Sequence, residues 1–288
     1  MANPVPPANP FPGLPYRGGP DHRPTGLALP PERMPLLRRG RPLKQWRYVG
    51  VFDAQTIVCA AHVRVGGLRQ AFWAIWDRER RELRERTSGG RGGIDVSDGL
   101  LGVRRSGVDV ALTLEPFGDP VEVTSPHGSS YIWTRKQWCM ASGTVAVDGH
   151  AYAISAPALI DDSAGYHARE TAWAWAAGAG HDEAGHVVGW NLVTGVHDDP
   201  STSERTVWVD GRATEVGPVT FADNLSGVRF TGGEELAFTQ EAVRERRDNR
   251  IVVMSEYRQP FGSLSGTLPG GITLADGLGV MERHRARW

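Results

Sequence analysis

The chain has 288 residues, a formal net charge of −1 and a hydrophobic fraction of 40%, values typical of a folded globular protein of about two domains. No apolar run reaches the roughly 18 residues that cross a bilayer, and the first residues lack the basic and apolar regions of a secretory signal. No basic stripe is visible either, so these features exclude a transmembrane protein, a secreted protein and a general nucleic-acid binder.

The first predicted element is a proline-rich arm over residues 1–39. Residues 1–35 contain 11 of the 20 prolines, and proline lacks the backbone donor that a helix or a sheet interior needs. The arm is therefore predicted to be extended, either as a loose tail or as a segment that lies over a β barrel or a partner surface.

Apolar and polar residues alternate from Gln45 onward, with glycine and aspartate turns between the alternating segments, which predicts many short strands. Two charged segments, 77–87 and 240–248, are either helices or exposed strand ends. The predicted strands cover residues 46–51, 56–65, 71–76, 108–114, 131–140, 143–147, 171–176, 187–193, 206–209, 235–239 and 251–257.

An internal repeat organises these strands. Four short segments recur in the same order in both halves: 44–46 with 136–138, 73–75 with 190–192, 102–107 with 227–232, and 116–118 with 260–262. This shared order predicts two related β modules. We expect Trp46 to occupy the place of Trp138, and Gly102 the place of Gly227.

The two cysteines, Cys59 and Cys139, are too few for a disulfide framework and lack zinc-binding spacing. Both lie in predicted strands, so they are interpreted as small core residues of a cytoplasmic protein. No metal and no cofactor are predicted. His167 and His197 could form a metal site with an aspartate, but their spacing matches no tight motif.

The densest polar cluster begins with Asp161 and Asp162. Adjacent residues of a strand point to opposite faces, so only one of these acids can face a given pocket. We expect Asp162 to be the general acid of a cavity in the second module, with burial raising its pKa, although the segment also suits a structural turn. Lys136, one of only two lysines in a chain rich in arginine, is predicted to be partly buried beside Asp161 or Asp162.

The remaining candidates surround this cluster. Arg169 could bind an acidic group as a bidentate fork or form a surface ion pair, and Trp173 and Trp175 form either a ligand wall or a barrel core. The candidate catalytic residues are Asp162, Tyr166 and His167. The candidate ligand-binding residues are Lys136, Arg169, Trp173, Trp175, Asn191, Glu204 and Trp208.

Several segments together resemble a known bacterial family. They are DDSAGYHARETAWAWAAG, WNLVTGVHD, SERTVWVDG, WRYVGVF, YIWTRKQW and GLGVMERHRARW. The family is domain of unknown function 2804. More distantly, the layout resembles carotenoid 1,2-hydratase-like proteins, which implies two tandem lipocalin-like (calycin) β modules that bind a long apolar substrate.

The predicted fold is all-β: two tandem, pseudo-repeated lipocalin-like antiparallel barrels or sandwiches, at 40–129 and 130–288, after the arm. The predicted function is binding of an apolar or amphipathic small molecule in a tryptophan-lined β cavity. The residues leave open whether the chain is an enzyme; if it is one, hydratase- or cyclase-like lyase or isomerase chemistry is expected. The alternatives are a non-catalytic lipid or pigment carrier and a carbohydrate-active or carbohydrate-binding β-sandwich. The oligomeric state is left open.

Overall fold

The computed structural model describes residues 11–249 and 254–287, and within them the chain is almost entirely β strand. The helical segment in this part is a short 3-10 turn, Pro20–His22. No helix among the described residues has the length and hydropathy to cross a membrane. The strands up to the first module's end are β1 (Tyr16–Arg17), β2 (Leu37–Arg38), β3 (Arg41–Pro42), β4 (Lys44–Phe52), β5 (Thr56–Val65), β6 (Leu68–Asp77), β7 (Glu82–Gly89), β8 (Ile94–Ser97), β9 (Leu100–Arg105), β10 (Val108–Pro116), β11 (Val121–His127), β12 (Ser130–Val147) and β13 (His150–Gly165).

A second set of strands completes the chain and forms its own sheet. These strands are β14 (Glu170–Asp182), β15 (Val187–Thr194), β16 (Thr206–Val209), β17 (Arg212–Glu215), β18 (Val219–Phe221), β19 (Gly227–Phe230), β20 (Glu235–Asn249), β21 (Met254–Leu268) and β22 (Ile272–Arg287). The predicted all-β class is therefore confirmed.

The two large sheets share one strand order. The first runs β7-β6-β5-β4-β13-β12-β10-β9-β8, with β11 paired to β12 and β1 paired to β11. The second runs β17-β16-β15-β14-β22-β21-β20-β19-β18. In each sheet the end strand folds back, so β8 lies against β5 and β18 lies against β15. The chain thus forms two curled antiparallel modules of the same topology, which confirms the predicted pair of lipocalin-like repeats.

The chain passes from the first sheet to the second between Gly165 and Glu170. The predicted boundary between 129 and 130 falls instead inside the first sheet. The reason is that β12 and β13 are long strands that pair with each other, and β13 also pairs with β4. Residues 130–165 therefore complete the first module.

The sequence echoes correspond only in part to this duplication. Gly102 and Gly227 do occupy matching places, in β9 and β19, each opposite an alanine of the next strand. The prediction for Trp46 and Trp138 is wrong, because both lie in the first sheet, in β4 and β12. The other two echoes also join strands at different places in the two orders. The repeat is thus visible in the shared strand order more than in the recurring sequence motifs.

The two charged segments are strands, not helices. Segment 77–87 covers the end of β6, a turn and the start of β7, which is an edge strand, so charged side chains can point to solvent. Segment 240–248 lies within β20. Of the predicted strand 251–257, residues 251–253 lie outside the described part, and β21 is described from Met254.

Among the described residues, the alternating side chains form one core inside each module and one between the modules. One face of β4, with Val49 and Val51, fills the interior of the first module. The opposite face, with Tyr48 and Phe52, packs against the second module. The second module has its own interior and turns its other face, including Trp175, to the same interface. Both cysteines are free and buried, Cys139 in the first interior and Cys59 at the interface.

Stacked aromatic rings hold the modules together. The Trp138 ring stacks on Phe52 at 6.4 Å and on Trp208 at 5.7 Å between ring centroids. Gly189 of the second sheet allows this approach, since a Cβ atom there would lie 2.4 Å from the Trp138 ring. Trp208 is therefore part of a packed core between the modules.

The described part of the proline-rich arm packs on the first module. Phe11, Leu14 and Leu29 bury their side chains against Tyr131 and Tyr166. Strand β1 of the arm pairs with β11 at the edge of the first sheet. Of the two readings of the arm, the structure therefore supports a segment that lies over the β module.

Candidate functional site

A cavity of about 570 Å³ lies between the two sheets. This volume is in the range of small-molecule sites. Its walls are the interface faces of both modules, so the predicted location inside the second module is not where the cavity forms. Four residues of β4 and β13, namely Trp46, Tyr48, Asp161 and Ser163, line it from the first sheet.

Strand pairing explains the first wall. In adjacent antiparallel strands, residues directly opposite each other point to the same face of the sheet. A single row across β12, β13, β4, β5, β6 and β7 therefore faces the cavity. The row consists of Lys136, Asp161, Tyr48, Ala61, Phe72 and Thr87.

The second wall repeats this arrangement. Glu282 of β22 lies opposite Trp175 of β14, as Asp161 of β13 lies opposite Tyr48 of β4. Strands β13 and β22 hold corresponding places in the two sheet orders, as do β4 and β14. Each module thus contributes one carboxyl group next to one aromatic ring.

A buried lysine is shared by two carboxyl groups. The Lys136 Nζ lies 2.7 Å from Asp161 Oδ1 and 3.3 Å from Glu204 Oε1, and its side chain is 2% exposed. Burial opposes the ammonium charge, but the two carboxylates outweigh burial and raise the pKa of Lys136. Burial, opposed by Lys136, raises the pKa of Glu204. The prediction of a buried lysine beside Asp161 or its neighbour is confirmed.

Glu282 has a different environment. Its Oε1 accepts a hydrogen bond from Trp173 Nε1 at 2.8 Å, and its Oε2 lies 3.5 Å from Gln259 Nε2. No cation forms an ion pair with Glu282 within the described residues. Burial raises the pKa of Glu282 to about 7, and the charge of Asp161 adds to that rise. The carboxyl group can therefore hold or release a proton near neutral pH.

An arginine and two aromatic rings form another part of the wall. The Arg244 guanidinium lies 4.1 Å from the Phe72 ring centroid and 5.0 Å from the Tyr257 centroid. Its Nε pairs with Glu85 at 2.8 Å and its Nη2 donates to Thr87 Oγ1. This contact is a cation–π arrangement that keeps the guanidinium in place.

Three histidines of the cavity are neutral bases at pH 7. Burial lowers the pKa of His284 to about 4 and the pKa values of His167 and His197 well below the usual range. His284 Nε2 lies 2.8 Å from Ser255 Oγ, and His197 Nδ1 lies 2.9 Å from Ser125 Oγ. These histidines therefore add hydrogen-bonding groups to the site without adding positive charge.

Half of the predicted site residues lie at this cavity. The lining contains His167, Lys136, Trp173, Trp175 and Glu204.

Asp162 and Arg169 lie elsewhere. Asp162 points to the opposite face of β13 from Asp161, as strand alternation requires, and accepts two hydrogen bonds from Arg47, at 2.6 and 2.8 Å. The expected acid role of Asp162 in this cavity therefore has no geometric support. Arg169 is exposed and has no ion pair among the described residues.

Tyr166, Asn191 and Trp208 support the structure around the site. Tyr166 donates to the carbonyl of Pro35 in the arm at 2.7 Å. Asn191 accepts from Trp175 Nε1 at 2.8 Å and donates to the Glu204 carbonyl at 2.9 Å. Trp208 belongs to the stacked interface core. Asn191 thus positions two residues of the cavity without lining it.

Four residues that line the cavity are not among the site residues predicted from sequence: Arg244, Tyr257, Glu282 and His284. The segment with Glu282 and His284 contributes to the family resemblance, but no strand is predicted there. Apolar Val280 followed by Glu282 and His284 at period two was the available signal. Arg244 lies in segment 240–248, which the sequence allows to be either a helix or an exposed strand end.

Comparisons with known proteins agree with this architecture. No curated protein matches the chain. A crystal structure assigned to AttH of Nitrosomonas europaea has a TM-score of 0.57 and 14% identity, covering 90% of this chain and 97% of that chain. Kievitone hydratase from Nectria haematococca has a TM-score of 0.55 and 12% identity, covering 83% of this chain and 88% of that chain. At these identities the likeness shows a shared fold alone.

A family match covers most of the chain. It extends over residues 84–288, which include β12 to β22 and the cavity residues of the second module. The chain therefore belongs to the family described as domain of unknown function (DUF2804), as the sequence resemblance predicted.

Proposed function

We propose that this protein binds a small apolar or amphipathic molecule in the cavity between its modules and transfers a proton to it from Glu282. The observation that carries the proposal is a buried carboxyl group, without a cation partner among the described residues, in an aromatic-lined cavity of about 570 Å³. An apolar wall with a few polar groups is typical of ligand sites.

The two carboxyl groups of the modules suit different tasks. Asp161 is held by Lys136, whereas Glu282 is held by the neutral indole of Trp173. Because burial places the pKa of Glu282 at about 7, this side chain is the candidate acid. The Lys136 cluster is the candidate for orienting a polar group of the ligand.

The proposed step is protonation of a carbon–carbon double bond. The O–H bond of the Glu282 carboxyl breaks and a C–H bond forms at the ligand, which leaves a carbocation. Aromatic rings such as Trp175 and Tyr257 stabilise positive charge nearby. Water then adds and returns a proton to Glu282, which is hydration, or an adjacent carbon returns a proton, which is isomerisation. Elimination of water is the reverse sequence.

The enclosure of the aromatic rings favours an apolar ligand over a sugar. Carbohydrate sites present aromatic rings along an open groove, whereas the rings here lie between two packed sheets. The exposed fraction of Trp175 is 5%. A carrier without chemistry would need no buried acid, and Glu282 supplies one.

Binding is tested by filling the cavity. Ala61 lies in the middle of the first wall with an exposed fraction of 1%, so Ala61→Phe places a ring inside the cavity. We expect the variant to bind Nile red, an uncharged apolar dye, at least about tenfold more weakly than the parent protein. Ala111→Phe on the exposed face of β10 is the matched control and should bind normally. Equal binding by all three folded proteins would contradict the proposal.

Proton transfer is tested on the natural ligand. Native mass spectrometry of protein purified from its host identifies a co-purifying ligand, and incubation in D₂O then reports deuterium in its carbon skeleton. We expect Glu282→Gln to lower this exchange by about 100-fold or more while Nile red binding stays within about tenfold. Glu245→Gln, at an exposed site, is the control. If the parent protein introduces no deuterium into the ligand, the protein is a carrier and the proposed proton transfer is wrong.

A further inference from the structure

A second cavity, of about 1050 Å³, opens at one end of the first module's interior. The deeper interior is filled by apolar side chains of β4, β8, β12 and β13. At the open end the same interior-facing positions carry arginine. Charged residues on the inner face of a β module are unfavourable unless they are paired or serve a ligand.

Strand pairing arranges these residues in two tiers. The tiers occupy the faces of β4 and β13 that point away from the cavity between the modules. The lower tier is Arg135, Asp162, Arg47 and His62. The upper tier is Trp133, Ala164, Gln45, Arg64 and Arg69. Arg91, and Arg23 from the arm, also line this cavity. We call its six arginines the arginine collar: Arg23, Arg47, Arg64, Arg69, Arg91 and Arg135.

The collar has more positive than negative charge. Four carboxyl groups line the same cavity, and three of them are already used: Arg23 forms two hydrogen bonds with Glu122, Arg47 forms two with Asp162, and Arg47 Nη1 pairs with Asp98 at 2.8 Å. In the described part of the chain, the other four arginines of the collar have no carboxylate within 4.0 Å. The cavity is therefore a local positive site in a chain of net charge −1.

The unpaired guanidinium groups have free donors. Arg64 donates from Nε to the carbonyl of Gly66 at 3.0 Å, and Arg135 donates from Nη2 to Gln137 Oε1 at 3.1 Å. A guanidinium has five N–H donors, so most of those on Arg64 and Arg135 are available. Trp133 is 4% exposed and lines the cavity, and its indole N–H has no acceptor among the described residues.

We propose that the arginine collar binds a small molecule with two or more oxyanion groups, carboxylate or phosphate. Guanidinium forks match the paired oxygens of both groups, and the Trp133 N–H offers a further donor. The arm lines one side through Pro20 and Pro30, while Arg69 and Arg91 are exposed. The residues changed in the test are separate from the proposed acid, because Arg64 and Arg135 do not line the cavity between the modules, although Arg69 borders both cavities.

The test measures binding of pyrophosphate and of citrate by calorimetry at low salt. We expect the parent protein to bind at least one of them and the double variant Arg64→Gln/Arg135→Gln to bind it about 100-fold more weakly, since two charged donors are lost. Tighter pyrophosphate binding would identify a phosphate ligand and tighter citrate binding a carboxylate ligand. Trp133→Phe should also weaken binding, by a smaller factor.

The control is Arg104→Gln/Arg229→Gln, which removes two exposed arginines outside the collar. It should bind like the parent protein. The collar proposal is overturned if neither anion binds, or if the collar variant and the control lose affinity equally, which would indicate unspecific attraction. Nile red binding by the collar variant should stay unchanged, so failure here is distinguishable from failure of the proposed function.

Discussion

Replacing Lys136 with methionine is expected to lower the free energy of unfolding by about 3–5 kcal/mol. Methionine fills nearly the same volume, so packing is largely kept. The loss comes from Asp161 and Glu204, whose carboxyl groups lie 2.7 and 3.3 Å from the ammonium and would remain buried without a cation. Removing one partner of a buried ion pair is far more harmful than replacing the whole pair.

Urea unfolding at neutral pH measures this loss of stability. Replacing the two carboxyl groups with neutral amides as well tests its cause. The triple variant Lys136→Met/Asp161→Asn/Glu204→Gln should recover much of the lost stability, because no charge is left unpaired. Arg104→Met, which removes an exposed arginine near Asp109, should change stability by less than about 1 kcal/mol. If Lys136→Met were as stable as this control, the ion pairs of Lys136 with Asp161 and Glu204 would make no net contribution to stability.

The contact between Lys136 and an aspartate could be predicted from sequence because it depends on strand alternation, which is a local pattern. Asp161 and Asp162 are neighbours in one strand, so alternation alone separates them: one faces Lys136 and the other faces Arg47. Alternation does not say which face meets the second module. For that reason the sequence predicts the acid role for Asp162, although its strand neighbour Asp161 is the one in the cavity.

The position of Glu282 in the cavity could not be predicted in the same way. It faces the cavity because β22 pairs with β14, more than a hundred residues earlier, and because that sheet packs on another. The module boundary shows the same limit. Short echoes such as Trp46 and Trp138 suggested the repeat, but only long-range pairing assigns β12 and β13 to the first sheet. The alternation within a single strand can be predicted from neighbouring residues. The assembly of the two sheets cannot, because it depends on long-range strand pairing.

Glu282→Gln is expected to change how stability depends on pH. In the unfolded chain a glutamate loses its proton near its ordinary pKa of 4.5, whereas burial in the folded protein keeps Glu282 protonated up to about pH 7. The folded state therefore binds more protons in this window, and the stability that Glu282 contributes falls as pH rises from 4.5 to 7. Glutamine does not titrate and can still accept the Trp173 hydrogen bond.

The quantity to measure is the difference in unfolding free energy between the parent protein and Glu282→Gln. Between about pH 5 and about pH 8 this difference should move by about 2–3 kcal/mol in favour of the variant. Protonation of the buried histidines acts in the opposite direction, because their pKa values are lowered, but it affects both proteins alike and cancels in the difference. Glu245→Gln should give a flat difference over the same range, since that side chain is exposed. A flat difference for Glu282→Gln as well would mean that Glu282 is ionised at the cavity wall throughout, and it could not then be the proton donor.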